Sequence, residues 1–320
     1  MNELVANTGT QLRRRGERTK TLALTAMLIP GLIILFFNSY LPMAGIVMAF
    51  QKIDYSKFAF AGKWVGLRNL KLFFGSTYTP VIIRNTLLYN FAFIVLGKFF
   101  SMAFAIALNE LRGLNAKKVY QGVMFLPYFI SWVAVSYIAL AFLHTDYGLV
   151  NRTILPMLGM EGKNWYQTPA AWPGLLIFFN LWKGTGYGTV MFLASIAGID
   201  PSLYEAARID GANRWQQIIH ITLPMLYPML IITTLLSIGS IFNTDIGLFY
   251  SVPMRSINGL LADVTTTLDT YVYVTFSSGG SASTVNLSSA AAFIQSIIGF
   301  VLVLLSNMVV KKINPDYVLF

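Results

Sequence analysis

The sequence predicts an all-α integral membrane protein with about six transmembrane helices and both termini in the cytoplasm. Of its 320 residues, 56% are hydrophobic and only 11% are charged, whereas soluble domains carry about 25% charged residues. Six apolar segments reach the length of about 20 residues that a helix needs to cross a bilayer. Lys and Arg are unevenly distributed between the polar segments, which indicates how the helices are oriented.

The six predicted spans are separated by segments that are polar or rich in turn-forming residues. The first span is too long for the apolar region of a signal peptide, about 7–15 residues, so we expect it to be retained. Pro30 and Pro42 lie inside it and predict kinks. The chain then divides into a basic cytoplasmic N-terminus, 1–21, and a transmembrane domain, 22–320. The spans cover residues 22–49, 82–108, 119–142, 172–197, 225–244 and 287–310.

Orientation follows from the basic residues of the intervening segments. If the N-terminus is inside, the cytoplasmic segments contain 12 Lys and Arg and the outer segments 8. The pairs and triplets that flank spans, Arg13–Arg15, Lys117–Lys118 and Lys311–Lys312, all fall on the inner side. The sequence therefore predicts a multi-pass protein of the bacterial cytoplasmic membrane. The net charge of the chain is +10, and we attribute it to basic residues at the cytoplasmic face of that membrane. We therefore expect the protein to contact lipid rather than nucleic acid.

Several kinds of chemistry are excluded by residues that the sequence lacks. The chain has no Cys, and its two His residues, His144 and His220, are far apart, so we expect no metal site and no thiol chemistry. No phosphate-binding loop is present, since Gly162–Asn164 lacks the required spacing and hydroxyl. We therefore predict no catalytic residues and no cofactor bound by this chain.

Segment 198–224 is the most informative part of the sequence. Asp200 before Pro201 is typical of a helix N-cap followed by proline at the first helical position. Asp210-Gly211 predicts a break after that helix. A second short helix is expected to begin at Asn213 and to end at Pro224. The first helix would place small and apolar side chains on one face: Leu203, Ala206 and Ala207.

This helix–turn–helix lies on the predicted cytoplasmic surface, and its residues allow two interpretations. The small Ala206-Ala207 patch beside the carboxylate of Glu205 suits docking into a groove on another protein. An ordinary amphipathic connector packed on its own helical bundle would have the same pattern. Physical reasoning alone leaves both alternatives open.

The same segment resembles the EAA loop of the permeases of binding-protein-dependent ABC importers. The resemblance rests on Glu205-Ala206-Ala207, then Gly211, then Ile221–Pro224. In that family the loop is a coupling helix that sits in a cleft of the ATPase subunit. The resemblance therefore implies a type I importer permease fold in 22–320, with 198–224 as the coupling loop. The residues that it assigns to ATPase coupling are Tyr204, Glu205, Ala206, Ala207, Arg208, Asp210 and Gly211.

The amino-acid sequence of several segments resembles that of sugar importers of this maltose-permease-like superfamily. The resemblance is to the importers of polysaccharide-derived oligosaccharides in particular. Ser277–Ser281 departs from the family by its flexible composition. The resemblance implies an oligosaccharide substrate, a pair of ATP-binding subunits that hold ATP and Mg, a second homologous permease in a heterodimer, and an extracellular solute-binding protein. The similar segments are Tyr204–Ala212, Leu181–Tyr187, Tyr40–Gly45, Asp269–Tyr273 and the stretch from Ser288 to Lys312.

The substrate path is predicted from polar residues within or beside the spans, since such residues usually face a bundle interior or cavity. Lys183 is the first candidate, although a purely structural role is an equal alternative. Lys98 and Arg84 are expected instead to snorkel or to bridge helices. Gly184, Gly186 and Gly188 predict close helix packing or a local kink. The full set of predicted path residues is Asn180, Lys183, Tyr187, Asn243 and Asp245.

Other function classes fit the sequence less well. A secondary transporter often shows inverted repeats and intramembrane acids, and neither is evident. A membrane-embedded enzyme would need a cluster of His, Asp, Glu or Cys. The nearest alternative is an ABC permease for another solute, such as an amino acid or phosphate, against which the sugar-type sequence around Glu205 and Lys183 argues.

Overall fold

The fold is built almost entirely from helices, as a computed structural model of the chain shows for residues 24–52, 62–111, 113–277 and 282–313. The predicted N-terminal segment 1–21 and most of Ser277–Ser281 lie outside the described residues. Two short antiparallel strands, β1 (Gln51–Lys52) and β2 (Lys63–Trp64), pair outside the helical part. The helices are α1 (Leu24–Phe50), α2 (Arg68–Phe74), α3 (Thr79–Glu110), α4 (Leu114–Phe125), α5 (Trp132–Leu143), α6 (Leu155–Met157), α7 (Trp172–Ala197), α8 (Pro201–Ile209), α9 (Arg214–Gln217), α10 (Leu223–Gly239), α11 (Ala262–Thr265), α12 (Leu268–Ser277) and α13 (Ala282–Ile313).

Four single helices among the described residues are long and apolar enough to cross a membrane: Leu24–Phe50, Thr79–Glu110, Arg214–Gly239 and Thr284–Lys312. A bent pair, α4 with its following turn and α5, would make a fifth span. Helix α7 is continuous over 26 residues, with the bounds predicted for the fourth span, but its lysine and glycines make it less apolar.

The third predicted span, 119–142, differs from expectation because it is broken. Asn115–Phe129 and Trp132–Leu143 meet at an angle of 101°. Pro127 lies in a 3-10 turn, Ile130 is extended, and the Ser131 side chain accepts a hydrogen bond from Ala134 N to cap the new helix. Proline has no N–H to continue the helix, and the Ser131 cap begins the next one in a new direction.

The fifth span also differs, at both ends. Pro224 was expected to end the short helix, yet Arg214–Gly239 forms one helical segment. A π-turn at Ile218–Thr222 lets Leu223 N donate to Ile218 O. The wider turn relieves the clash that a proline ring makes with the carbonyl four residues earlier. Helix α10 then ends at Gly239, so the predicted residues up to 244 lie in the following loop.

Helices α3 and α7 form the centre of the bundle, and glycines of α7 allow it to approach both α3 and α4 closely. A Cβ at Gly188 would lie 2.2 Å from Ser101 Oγ, and one at Gly186 would lie 1.9 Å from Met124 O. At Gly184, by contrast, a Cβ would meet no atom within 4 Å. The predicted close packing therefore applies to two of the three glycines, and the third leaves its face of α7 open.

Candidate functional site

A cavity of about 420 Å³ lies among α3, α7, α10 and the segment that follows α10. Its wall is partly apolar, from side chains such as Phe93 and Met191, and partly polar. Concave sites of this kind, with a few convergent polar groups, are the usual places for small ligands. The polar and charged wall residues include Asn90, Lys98, Asn180, Tyr187, Asn243 and Asp245.

Four of the five predicted path residues share this cavity. Asn180 and Tyr187 come from α7, whereas Asn243 and Asp245 come from the loop after α10. Residues separated by more than 50 positions are thus brought to one wall by the packing of α7 against α10. Whether they contact a substrate stays a prediction.

Lys183, the fifth predicted residue, does not line the cavity. Its Nζ donates a hydrogen bond of 2.6 Å to Tyr128 O, at the break between α4 and α5. The same ammonium lies 5.4 Å from the ring centroid of Tyr128 and 5.3 Å from that of Trp132, within reach of cation–π attraction. The contacts favour the structural alternative for Lys183, because it satisfies a carbonyl that the broken helix leaves without its usual partner.

Asp245 also supports the break while it lines the cavity. Its Oδ2 accepts a hydrogen bond of 2.5 Å from Trp132 Nε1, and its Oδ1 accepts one of 2.8 Å from Gly247 N. Both oxygens of this carboxylate are therefore engaged by N–H donors of the chain, which fixes the position of the loop after α10.

Asn243 is held by a polar network behind the cavity wall. Gln295 Nε2 lies 2.5 Å from Asn243 Oδ1 and 3.0 Å from Asp269 Oδ1. Asp269 Oδ2 in turn accepts from the backbone N–H of Thr244. The network joins α12 and α13 to the end of α10, so three distant parts of the chain fix one cavity residue.

Asn90 and Lys98, both on α3, are among the polar wall residues that sequence reasoning missed. Lys98 was expected to snorkel or bridge helices. The signal was available in the helical spacing of α3, because Asn90, Gly97, Lys98 and Ser101 recur near i, i+7, i+8 and i+11 and so share a face. What the spacing could not show was that this face meets α7 and α10 around a cavity.

The loop that carries α8 forms the second candidate site, and its local structure follows the sequence. Asp200 caps α8 by accepting a hydrogen bond from Ser202 N, and that bond lowers the pKa of the carboxyl group. Gly211 has φ +81°, a conformation that non-glycine residues rarely adopt. Ala212 N donates to Ala207 O and Gly211 N to Arg208 O, as in a glycine-ended helix.

The second helix of the loop begins with a reciprocal capping box. Asn213 accepts from Gln216 N, and the Gln216 side chain accepts from Asn213 N, which confirms the predicted cap. Arg214 pairs with Glu110 at 2.9 Å and so ties α9 to the end of α3. The hydroxyls of Tyr204 and Thr222 lie 2.9 Å apart. The loop is thus anchored to the bundle at its second helix, and Tyr204 ties α8 to the start of α10.

No residue of helix α8 is fully buried, although Tyr204 is half-buried. Glu205 and Ala206 are exposed, and Ala207 is half-buried. Large apolar side chains beside them are also exposed, Ile209 by 86% and Trp215 by 73%. A connector packed on its own bundle would bury its apolar face, so the geometry disfavours that alternative and leaves the face available to another molecule.

Comparison with known proteins gives the class to which this fold belongs. Residues 100–318 match the family described as "Binding-protein-dependent transport system inner membrane component". The chain belongs to that family, which confirms the resemblance found in the EAA-like loop and makes the protein a membrane-embedded transport permease component with the type I importer fold.

Individual relatives cover nearly the whole chain. Protein LplB of Bacillus subtilis (strain 168) is 32% identical over 98% of this chain and 95% of its own. The polygalacturonan/rhamnogalacturonan transport system permease protein YteP of the same strain is 34% identical, over 91% of this chain and 88% of its own. A solved bacterial ABC transporter involved in import of the acidic polysaccharide alginate has a chain that is 27% identical, with a TM-score of 0.83, covering 94% of this chain and 99% of that one.

Proposed function

We propose that this chain is the permease subunit of an ATP-driven importer that moves an oligosaccharide across the cytoplasmic membrane by alternating access. Several relatives carry names that specify transport of oligosaccharides or polysaccharides, including polygalacturonan/rhamnogalacturonan and arabinooligosaccharides. The cavity beside α7 has the mixed wall of amides, a phenol and apolar rings that suits a sugar. Asn180, Tyr187 and Asn243 are its proposed contacts.

The observation that carries the proposal is the unburied face of α8. A helix with a carboxylate, two alanines and exposed apolar neighbours, on the predicted cytoplasmic side, has the features of a docking element. The proposed occupant is one of a pair of ATP-binding subunits, which would hold ATP and Mg. Closure of that pair would push α8, and the bundle would switch between inward- and outward-facing states as rigid bodies.

The remaining partners are also part of the proposal. A second homologous permease would complete the path, most simply as a heterodimer, and an extracellular solute-binding protein would deliver the sugar. The apolar surface of α1 is consistent with a second permease, since only 6% of its most apolar stretch is buried within the chain. That surface would be covered by lipid or by the second permease.

Glu205→Lys tests the coupling role. In the complete importer reconstituted in proteoliposomes, we expect this variant to lose sugar uptake and sugar-stimulated ATP hydrolysis by about tenfold or more, since a charge reversal at a docked site costs several kcal/mol. Insertion of the permease into the membrane should be unchanged. The matched control is Glu161→Lys, the same charge reversal at an exposed site in the loop predicted to lie outside.

Two results would contradict the proposal. Normal uptake and normal ATPase stimulation by the Glu205→Lys variant would show that α8 does not transmit force. Sugar uptake by the permease in vesicles that lack the ATP-binding subunits would instead indicate a secondary transporter.

A further inference from the structure

Lys98 is a charged side chain placed deep in the bundle. It lies about 28 Å from the start of α3 and about 18 Å from its end, at 1.5 Å per residue. The hydrocarbon core of a bilayer is about 30 Å thick, so we expect a lysine at this position to lie within the membrane-spanning part of α3. Its side chain is half-buried and lines the cavity between α3 and α7.

Within the part of the chain that the structure describes, Lys98 makes no hydrogen bond, ion pair or ring contact. The ion pair found there joins Arg214 to Glu110 at the loop end of α3. The other lysine of the central bundle, Lys183, is fully accounted for by Tyr128 O and two aromatic rings. Charged groups inside a bilayer are costly and are normally paired or placed on a ligand pathway.

The acidic residue of the same cavity, Asp245, makes no ion pair with Lys98. Asp245 accepts from Trp132 Nε1 with one oxygen and from Gly247 N with the other. Its role in the loop uses both oxygens. The cavity therefore contains one engaged carboxylate and one unengaged ammonium, and its other polar wall groups include three neutral amides, Asn90, Asn180 and Asn243.

We propose that Lys98 is the specificity-determining contact for a carboxylate on the transported sugar, so that the substrate is an acidic, uronate-containing oligosaccharide. This inference rests on the proposed function and adds the chemical class of the substrate. A carboxylate that leaves water for a partly apolar cavity loses several kcal/mol of hydration. An ammonium within reach offsets that cost through a charge-assisted hydrogen bond. A hydroxyl of a neutral sugar can also accept from the ammonium, but the bond is weaker because the sugar brings no opposite charge.

The test compares an oligogalacturonide with its methyl ester, which has the same ring size and linkage but no negative charge. Both are offered to the complete importer in proteoliposomes. The wild type should take up the acid in preference to the ester. Lys98→Gln should lower the acid-to-ester uptake ratio by about tenfold or more, as expected for loss of a hydrogen bond to a charged group. Lys98→Arg keeps the charge and should restore most of the ratio.

Each remaining outcome is decisive. Equal uptake of acid and ester by the wild type, or an equal loss of both in the Lys98→Gln variant, would overturn the proposal and leave Lys98 a structural residue. Uptake of neutral arabinooligosaccharides but not of acidic sugars would overturn it while the proposed importer function stands. If the wild type transports no oligosaccharide of either kind, the proposed function itself fails. Lys71→Gln, which removes an exposed lysine of α2, controls for loss of positive charge elsewhere.

Discussion

The cavity and the α8 loop are built in opposite ways. The loop is organised by contacts a few residues apart: Asp200 with Ser202, Ala207 with Ala212, and Asn213 with Gln216. The cavity depends on contacts between residues far apart in sequence, such as Lys183 with Tyr128, Trp132 with Asp245, and Gln295 with Asn243. A local element can therefore move as a unit, whereas the cavity changes shape when helices shift relative to one another.

This difference suits the two proposed roles. A lever that receives force from a partner needs internal rigidity and a free face, and α8 has caps at both ends and no buried residue. A site that opens alternately to each side of a membrane needs walls from different helices. Variants at the two places should therefore fail in different ways.

The largest effect is expected at the contact between α7 and the α4 end of the broken span. Gly186→Ala places a Cβ 1.9 Å from Met124 O, a backbone atom that cannot turn aside. We expect a loss of about 3 kcal/mol in stability and disruption of the cavity. The midpoint of thermal denaturation in detergent and the yield of monodisperse protein measure it.

Gly184→Ala is the matched control, two residues away on the same helix, because its Cβ would meet no atom within 4 Å. If the two variants were equally stable, the close approach of α7 to residue 124 would be wrong. If both were destabilised, the open face beside the cavity would be wrong instead.

A smaller effect is expected in the loop, where the cavity should be untouched. Gly211→Ala forces a side chain into the left-handed region at φ +81°, at a cost of about 1–2 kcal/mol. Hydrogen exchange at Gly211 and Ala212 should accelerate, and sugar-stimulated ATP hydrolysis should fall while global stability changes little. Gly198→Ala, at φ −84°, is the control. Unchanged exchange at Ala212 would argue against the turn.

The smallest effect is expected at the N-cap of α8 and depends on pH. The hydrogen bond from Ser202 lowers the pKa of Asp200, so the carboxylate stabilises the cap above the ordinary pKa of about 3.9. This contribution is lost as the pH falls through the lowered value. The protection factor of the Ser202 amide, corrected for intrinsic exchange, should drop in that range.

Asp200→Asn is the comparison for that titration, because asparagine caps helices about as well as aspartate but does not ionise. Its protection factor at Ser202 should stay constant over the same pH range. A drop of equal size in both variants would mean that the Asp200 charge is not the cause.

Prediction from sequence succeeded where local chemistry decides the structure. The caps at Asp200 and Asn213 and the break at Gly211 were all placed correctly, since each depends on neighbouring residues. It failed at Pro224, where a π-turn accommodates the ring. The third span likewise contains a strong local signal, Pro127, but the 101° angle of the break is set by packing against α7 and by Lys183.

The candidate path residues show the same limit. Polar side chains within the spans predicted that a cavity would exist, and Asn180, Tyr187, Asn243 and Asp245 do line one. Lys183 and Lys98 look alike in the sequence, as single lysines in apolar helices. One donates to a carbonyl of the broken span and the other faces the cavity, because their helices are rotated differently in the bundle.

The sequence by itself therefore determined the membrane environment of this protein, its all-helical class and the structure of the α8 loop. Composition and the length of the apolar segments indicate the first two, and capping residues that act over a few positions determine the third. Tertiary structure alone decided the angle of the break in the third span and which lysine enters the cavity. Those outcomes depend on which helix faces meet, and that is fixed by close packing between residues that lie far apart in the chain.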